Sequence, residues 1–400
     1  MIGKPTHGMG KLKRIALFLD GTWNTLDAPH ATNVVKLAEA TCGVDTNGIS
    51  QVIHYDEGVG TSQSIAPKTE SWLGGAFGIG LEKNVEQAYR FLIFNYDPGD
   101  EIYIFGFSRG AFTARTLVGL LRNCGIVSRN EAHRVQEAIN LYKSRSPDMH
   151  PDKDEACRFR SKYSTRNTVS RRDLDWRAEN VSGFDENGVH PLEVKFLGVW
   201  DTVGAMGVPN HIPVLSNIFN RRHKFHDAKL TGLVKNARHA LGLDERRRIF
   251  TASPWDDEKL DFLAKDAALE GRPDAYQQKW FPGDHGSVGG GGDVMAQSDN
   301  TLGWIAEAAA NLGLAIDPDF VSRLKPNALG PLKNITKKGF KPLDVFASKV
   351  DRGGPSFPEQ VSNAAIDRWQ THASELPEGK AYRPGSLGKV KTAAVFRDRD

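Results

Sequence analysis

Cysteine is scarce in this 400-residue chain. Cys42, Cys124 and Cys157 are odd in number and widely spaced, which argues against a disulfide framework or a zinc knuckle. No apolar run approaches the ~18 residues of a membrane-crossing helix. The opening MIGKPTHGMGKLKR leads only into LFL before Asp20. No signal peptide is therefore expected, and the chain reads as cytoplasmic when synthesised. A charge excess is missing too: 52 basic and 49 acidic residues leave +3, too little to imply a nucleic-acid partner. With 39% hydrophobic and 25% charged residues, the composition excludes wholesale disorder. The length suits one large domain, or one plus an appendage.

What is present is an alternation. RIALFL (14–19) reads as a buried strand ending at Asp20-Gly21-Thr22. A short helix, VVKLAEA, follows Thr32-Asn33, and QVIHY (51–55) is a second strand. Glycine-dense residues 56–80 read as loop, and 81–95 as a helix stopped by Asp97-Pro98-Gly99. EIYIF (101–105) precedes Gly106-Phe107-Ser108-Arg109-Gly110 and a helical AFTARTLVGLLRNC closed by Gly125. A further helix is expected near 130–144, and residues 145–190 read as polar and irregular. EVKFLGVW (193–200) resumes the sheet. The pattern then predicts helix across 229–242 and strands at 247–251 and 278–281. Ser298-Asp299 is expected to cap a last clear helix, ended by Gly313. Strands alternating with helices predict an α/β, α/β-hydrolase-like fold: a mainly parallel sheet with helices on both faces and an inserted polar segment. The expected division is a catalytic domain at 13–315, with a basic insertion at 145–190, and a tail at 316–400 that wraps the core or is partly mobile.

Gly106 to Gly110 fits G-x-S-x-G between a strand and a helix, the context this pattern requires. So tight a turn needs small residues two positions either side of the serine, hence Gly106 and Gly110. It raises Ser108 to a helix N-terminus, where negative charge is favoured. A serine needs a base, and the base a carboxylate. Asp201, directly after EVKFLGVW, is the best acid by chain order and strand-end placement. Of the histidines after Ser108 (His190, His211, His223, His226, His239, His285, His372), His285 follows a short strand and lies in GDHGSVGGGG. His239 is placed inside a helix, as surface or core. For the oxyanion the expected donors are the Arg109 N–H and one from Gly21 or Thr22. Asp20 is read as bracing its loop through nearby backbone N–H groups. A metal reading of Asp20, Asp201 and His285 lacks close ligand spacing, so neither metal nor cofactor is expected. LDERRRIF (243–250) reads as ion pairs at a helix end.

LFLDGTWN (17–24), TNV (32–34), YIFGFSRGAFTAR (103–115), KFLGVWDTVGAMGVP (195–209), FHDAKL (225–230), NARHALGLDERRRIF (236–250), WFPGDH (280–285) and SDNTLGWIAE (298–307) occur in that order. Together they resemble the catalytic domain of type VI secretion phospholipase effectors, the Tle1-like group, over about residues 13–313. The resemblance implies an α/β-hydrolase fold and hydrolysis of phospholipid esters. By motif it carries the serine onto Ser108, the acid onto Asp201 and the base onto His285. The chain departs from the family at Gly286-Ser287-Val288, where the family has Ser-Asp-Val. It also has only about 85 residues after the core, in place of a long membrane-binding region.

The leading expectation is a serine esterase or lipase acting on an ester or lipid substrate through an acyl-enzyme. The alternatives are a cytoplasmic esterase or thioesterase on a small soluble substrate, and a catalytically silent secretion cargo. Expected partners, beyond substrate, are secretion machinery or an immunity protein. Residues 157–177 hold six Arg and one Lys against two Asp, with Phe159, Tyr163 and Trp176. The favoured reading of that segment is a solvated face paired with acids; the other is peripheral contact with anionic membrane.

Overall fold

The structure, a computed structural model, describes residues 12–21, 27–58, 76–203, 230–247, 250–332 and 350–396. Strands β1 (Arg14–Leu19), β2 (Gln51–Asp56) and β3 (Glu101–Phe107) come first. β4 (Asn167–Thr168) and β5 (His190–Pro191) pair as a separate ribbon. β6 (Val194–Trp200), β7 (Ala237–Gly242) and β8 (Tyr276–Phe281) complete the main sheet. That sheet runs β2-β1-β3-β6-β7-β8, and every pairing in it is parallel.

Period-two side chains build a core on each face. Ile15, Leu17 and Leu19 of β1 and Ile102 and Ile104 of β3 point to one side. There they meet helices α2 (Ala76–Asn95), α3 (Arg109–Cys124) and α4 (Val135–Lys143). Ala16, Phe18, Tyr103, Phe105 and Phe107 point to the other, against α1 (Asn33–Ala40) and the helix Ala296–Asn311. A third cluster joins Leu241, Leu243 and Trp280 to Val361, Trp369, Leu387 and Phe396, so residues 350–396 pack on the β7–β8 side of the sheet.

Four expectations are corrected. The stretch 229–242 is not a helix: Ala237–Gly242 is strand β7, hydrogen-bonded between β6 and β8. Ala and Leu suit a helix by propensity, and Arg238 and His239 interrupt the apolar run that marks a strand buried on both faces of a parallel sheet. No strand spans 247–251: Phe250 lies in a 3-10 turn, and 248–249 fall outside the described residues. The helix expected to be capped by Ser298-Asp299 begins earlier, at Ala296, so both residues lie in its first turn.

Residues 145–190 are not irregular. They hold α5 (Asp154–Tyr163) and α6 (Arg171–Asn180). These helices meet through an ion cluster with no solvent contact: Asp173 takes Arg160 at 2.9 Å and Arg177 at 3.2 Å. Buried charges at core positions break the apolar period by which a sequence announces a helix.

Candidate active site

β1 lies between β2 and β3, so the chain order reverses beside it. The carboxyl edge at such a reversal is where open parallel sheets place ligands. The predicted residues gather along that edge. Ser108 follows β3, Asp201 follows β6, and His285 opens the one-turn helix His285–Gly289 just beyond β8.

The three are hydrogen-bonded in series. Ser108 Oγ lies 2.7 Å from His285 Nε2, and His285 Nδ1 lies 2.5 Å from Asp201 Oδ2. All are buried: Ser108 and His285 are 6% exposed and Asp201 is fully enclosed. Since an ionised carboxylate only accepts, Nδ1 donates to Asp201, which leaves Nε2 as the ring nitrogen that faces the serine. Burial opposes the charge on Asp201, but the Arg352 guanidinium and the His285 bond outweigh it and hold the carboxyl far below the usual range.

Each position is dictated by local geometry. Ser108 has φ 58° and Asp201 φ 38°, the left-handed backbone that a residue other than glycine adopts only when its surroundings impose it. At Ser108 the imposing groups are the two elbow glycines. A Cβ on Gly110 would sit 2.0 Å from the Leu19 carbonyl oxygen, and one on Gly106 would sit 2.5 Å from that of Gly110. The Ser108 N–H donates to the Trp200 carbonyl at 3.0 Å, locking the elbow to the last residue of β6, just before Asp201.

Behind Asp201, Thr202 donates its N–H (3.3 Å) to His239 Nε2, and its hydroxyl lies 3.0 Å from the same nitrogen. His239 Nδ1 meets Gln278 Oε1 at 3.0 Å. His239 is therefore a core histidine on a strand, not on the expected helix. Burial, aided by the nearby Arg115 charge, pushes its pKa down to about 3.

His285 is held between aromatic rings, with Phe250 stacked at 4.5 Å and Phe107 tilted at 4.8 Å between centroids. Its N–H donates to Glu245 Oε2 at 3.2 Å. Asp284 caps the same turn by accepting from Ser287 N at 2.9 Å and Ser287 Oγ at 2.8 Å. Ser287, the departure from the motif, thus bonds an acid three residues earlier, Asp284. The Glu245–Arg247 ion pair (2.6 Å) fits the reading of LDERRRIF as paired charge, though it stands at a strand exit rather than a helix end.

The oxyanion candidates divide. Arg109 heads α3 directly after the serine. Gly21 lies beside the elbow, but its N–H donates to the Asp20 carboxylate at 2.6 Å. Thr22 falls outside the described residues. Asp20 also accepts from the hydroxyls of Thr32 (2.5 Å) and Tyr55 (3.2 Å), so it ties the β1 exit to β2 and to the start of α1.

Four participants escaped the sequence reading. Glu245 and Phe250 lay inside a motif from which only paired charge, and no part in the site, was read. Gly242, whose N–H donates to Asp201 Oδ1 at 2.9 Å, lay in the supposed helix. Arg352, whose Nη1 and Nη2 reach Asp201 Oδ1 and Oδ2 at 2.6 and 2.8 Å, stands 151 residues further on, with no local pattern to announce it.

The family model of the type VI secretion phospholipase effector Tle1-like catalytic domain matches residues 13–308. The chain belongs to this family. An uncharacterised protein of Saccharomyces cerevisiae, YEL023C, is 27% identical over 258 residues, covering 62% of this chain and 33% of the yeast protein. Among solved structures, the Tle1 effector bound to the VgrG spike of the type 6 secretion system matches at 18% identity and a TM-score of 0.35, over 70% of this chain and 51% of that one. An uncharacterised Pseudomonas aeruginosa protein matches at 16% and 0.39, over 79% and 49%. Zea mays acyl-protein thioesterase 2 matches at 11% and 0.23, over 76% and 96%. The chain thus spans about a third of its curated yeast relative and half of the first two structures.

Proposed function

We propose that this Tle1-like domain is a serine hydrolase that cleaves carboxylic esters of lipids, with phospholipids as the favoured class. The observation that carries the reading is the hydrogen-bonded series Ser108–His285–Asp201 at the carboxyl edge of a parallel sheet. Ser108 Oγ attacks the ester carbonyl while His285 Nε2 takes its proton. Asp201 keeps the proton of the resting imidazole on Nδ1 and stabilises the imidazolium that forms. The Arg109 N–H at the head of α3 faces the developing oxyanion. Gly21 supplies a second donor once it exchanges its bond to Asp20, or the neighbouring Thr22 N–H does. His285 then protonates the departing alcohol, and water releases the acyl group by the reverse sequence. The phospholipid class rests on family membership, as does delivery by a secretion machine.

The test is turnover of dispersed short-chain esters and of phospholipid vesicles, alongside labelling by a fluorophosphonate. Ser108→Ala and His285→Ala should each lower kcat by roughly 10⁴-fold or more, with little added by combining them. Asp201→Ala should cost roughly 10³–10⁴-fold. Near-wild-type turnover in Asp201→Ala would mean that another carboxylate orients the histidine. An unlabelled Ser108 in the wild type would overturn the hydrolase reading.

A further inference from the structure

The carboxylate of Asp201 has more partners than a catalytic acid needs. Oδ1 accepts from Gly242 N and Arg352 Nη1, and Oδ2 from His285 Nδ1 and Arg352 Nη2. We propose that Arg352 is a positioning residue of the site and that the segment carrying it is a clamp on the Asp201–His285 pair. The proposal rests on the Ser–His–Asp reading and deepens it. Arg352 lies beyond residue 308, where the family match ends.

The geometry is that of a fork closing on a plate. A guanidinium bound through two parallel N–H groups fixes the plane of a carboxylate, which a single donor cannot do. With that plane fixed, Oδ2 is aimed at Nδ1, and the imidazole in turn aims Nε2 at Ser108. The same guanidinium donates to the carbonyls of Gly242 (3.1 Å) and Phe250 (2.5 Å). Those residues supply the other donor to Asp201 and the ring stacked on His285. One side chain, 5% exposed, therefore sets the acid, its second donor and one wall of the base.

Arg352 is itself held from two directions. Val350 N donates to Arg246 O at 3.0 Å, and Asp351 pairs with Arg246 at 2.9 Å. On the other side, a Cβ on Gly354 would sit 1.8 Å from the Ser386 carbonyl oxygen, and one on Gly385 would sit 2.0 Å from the Asp351 carboxylate. Ser386 Oγ donates to Leu243 O at 2.8 Å. The loop after β7 and the 385–386 turn thus grip the stretch around Arg352.

The clamp also has an electrostatic sign. The charged or titratable groups around the pair include Glu245 on the His285 backbone N–H, Arg247 over the Phe250 ring, Asp284 at the cap, and Arg115 and the buried, neutral His239 behind Asp201. The Arg352 guanidinium bonds the shared carboxylate directly. Its charge opposes protonation of the Asp201–His285 pair, so removing it makes the pair easier to protonate. The acid limb of the rate profile should then move to higher pH.

The experiment compares wild type, Arg352→Met and Arg352→Lys on a soluble short-chain ester across pH, with folding of each checked by thermal melting. Arg352→Met should lower kcat by about 10²-fold, the scale set by small misplacements of catalytic groups, while KM changes little. Its acid limb should rise by about one pH unit, and millimolar guanidinium should restore part of kcat. Arg352→Lys keeps the charge but not the fork, so its kcat should fall while its acid limb stays put. Unchanged kcat in both variants would overturn the proposal, as would a loss in Arg352→Met with an unmoved acid limb and no guanidinium rescue. If Arg352→Met fails to fold, the Lys variant decides: wild-type kcat there overturns the fork. Fluorophosphonate labelling of wild-type Ser108 separates the two levels. An absent adduct sinks the hydrolase reading, whereas labelling at an equal rate in Arg352→Met sinks only the clamp.

Discussion

Ser108 and Asp201 share a strained backbone, at a cost of order 1–3 kcal/mol each. The strain at Asp201 is countered from behind by His239, which binds the next residue, Thr202, while buried and neutral. This gives a pH prediction. The folded pKa of His239, about 3, lies below the unfolded value of 6.5. Its contribution to stability is therefore complete above pH 6.5 and is lost as pH falls from there toward 3. The loss runs at about 1.4 kcal/mol per pH unit. Urea unfolding at pH 7.0 and 5.0 should show wild type losing about 2 kcal/mol more than His239→Gln across that interval. Equal losses would mean that His239 is protonated in the folded protein.

At the scale of elements, the basic insertion changes character once its helices are seen. Phe159, Tyr163 and Trp176 are buried, as is Arg160, so these rings cannot lie at head-group depth. The outward arginines are paired: Arg158 with Glu155, Arg171 with Asp175 at 2.8 Å, Arg172 with Asp154 at 3.5 Å. These contacts favour the paired-face reading over membrane docking. Arg158→Glu with Arg171→Glu should leave the ratio of anionic to neutral vesicle turnover unchanged, and a reduced ratio would return the segment to the membrane. Asp173→Ala should instead destabilise by about 3–5 kcal/mol, because it strands two buried guanidinium groups. A denaturant titration showing a loss below 1 kcal/mol would mean that water or another acid reaches them. Sequence and structure part company here for one reason. Local pattern reveals elements whose buried positions are apolar, as in RIALFL, EIYIFGF and the helix after Ser108. It fails where buried positions are polar or charged: β7 buries His239, and α5 and α6 bury Arg160, Asp173 and Arg177.

Across the whole molecule, the site was legible wherever a strand end announced it. Ser108 and Asp201 each follow an apolar run and His285 a short strand, and these become β3, β6 and β8, whose carboxyl ends lie on one sheet edge. Contacts across long stretches of chain were not legible. Gly242, Glu245 and Arg352 reach the site only because β7 inserts between β6 and β8 and residues 350–396 fold back over that side. No helix among the described residues is long and apolar enough to cross a membrane.

The clamp's place in the chain bears on how the proposed hydrolase is born. A ribosome adds roughly 5–20 residues per second, and the amino-terminal part of a chain emerges and begins to fold first. The proposed serine, acid and base are all translated once residue 285 is made, yet Arg352 follows 67 residues later (352 − 285). If Arg352 sets the acid, a nascent chain carries its full set of reacting groups for several seconds without the last part that aligns them. Hydrolytic power would then arrive late in synthesis, and a message cut short in that interval would yield a protein with every reacting group present and little activity.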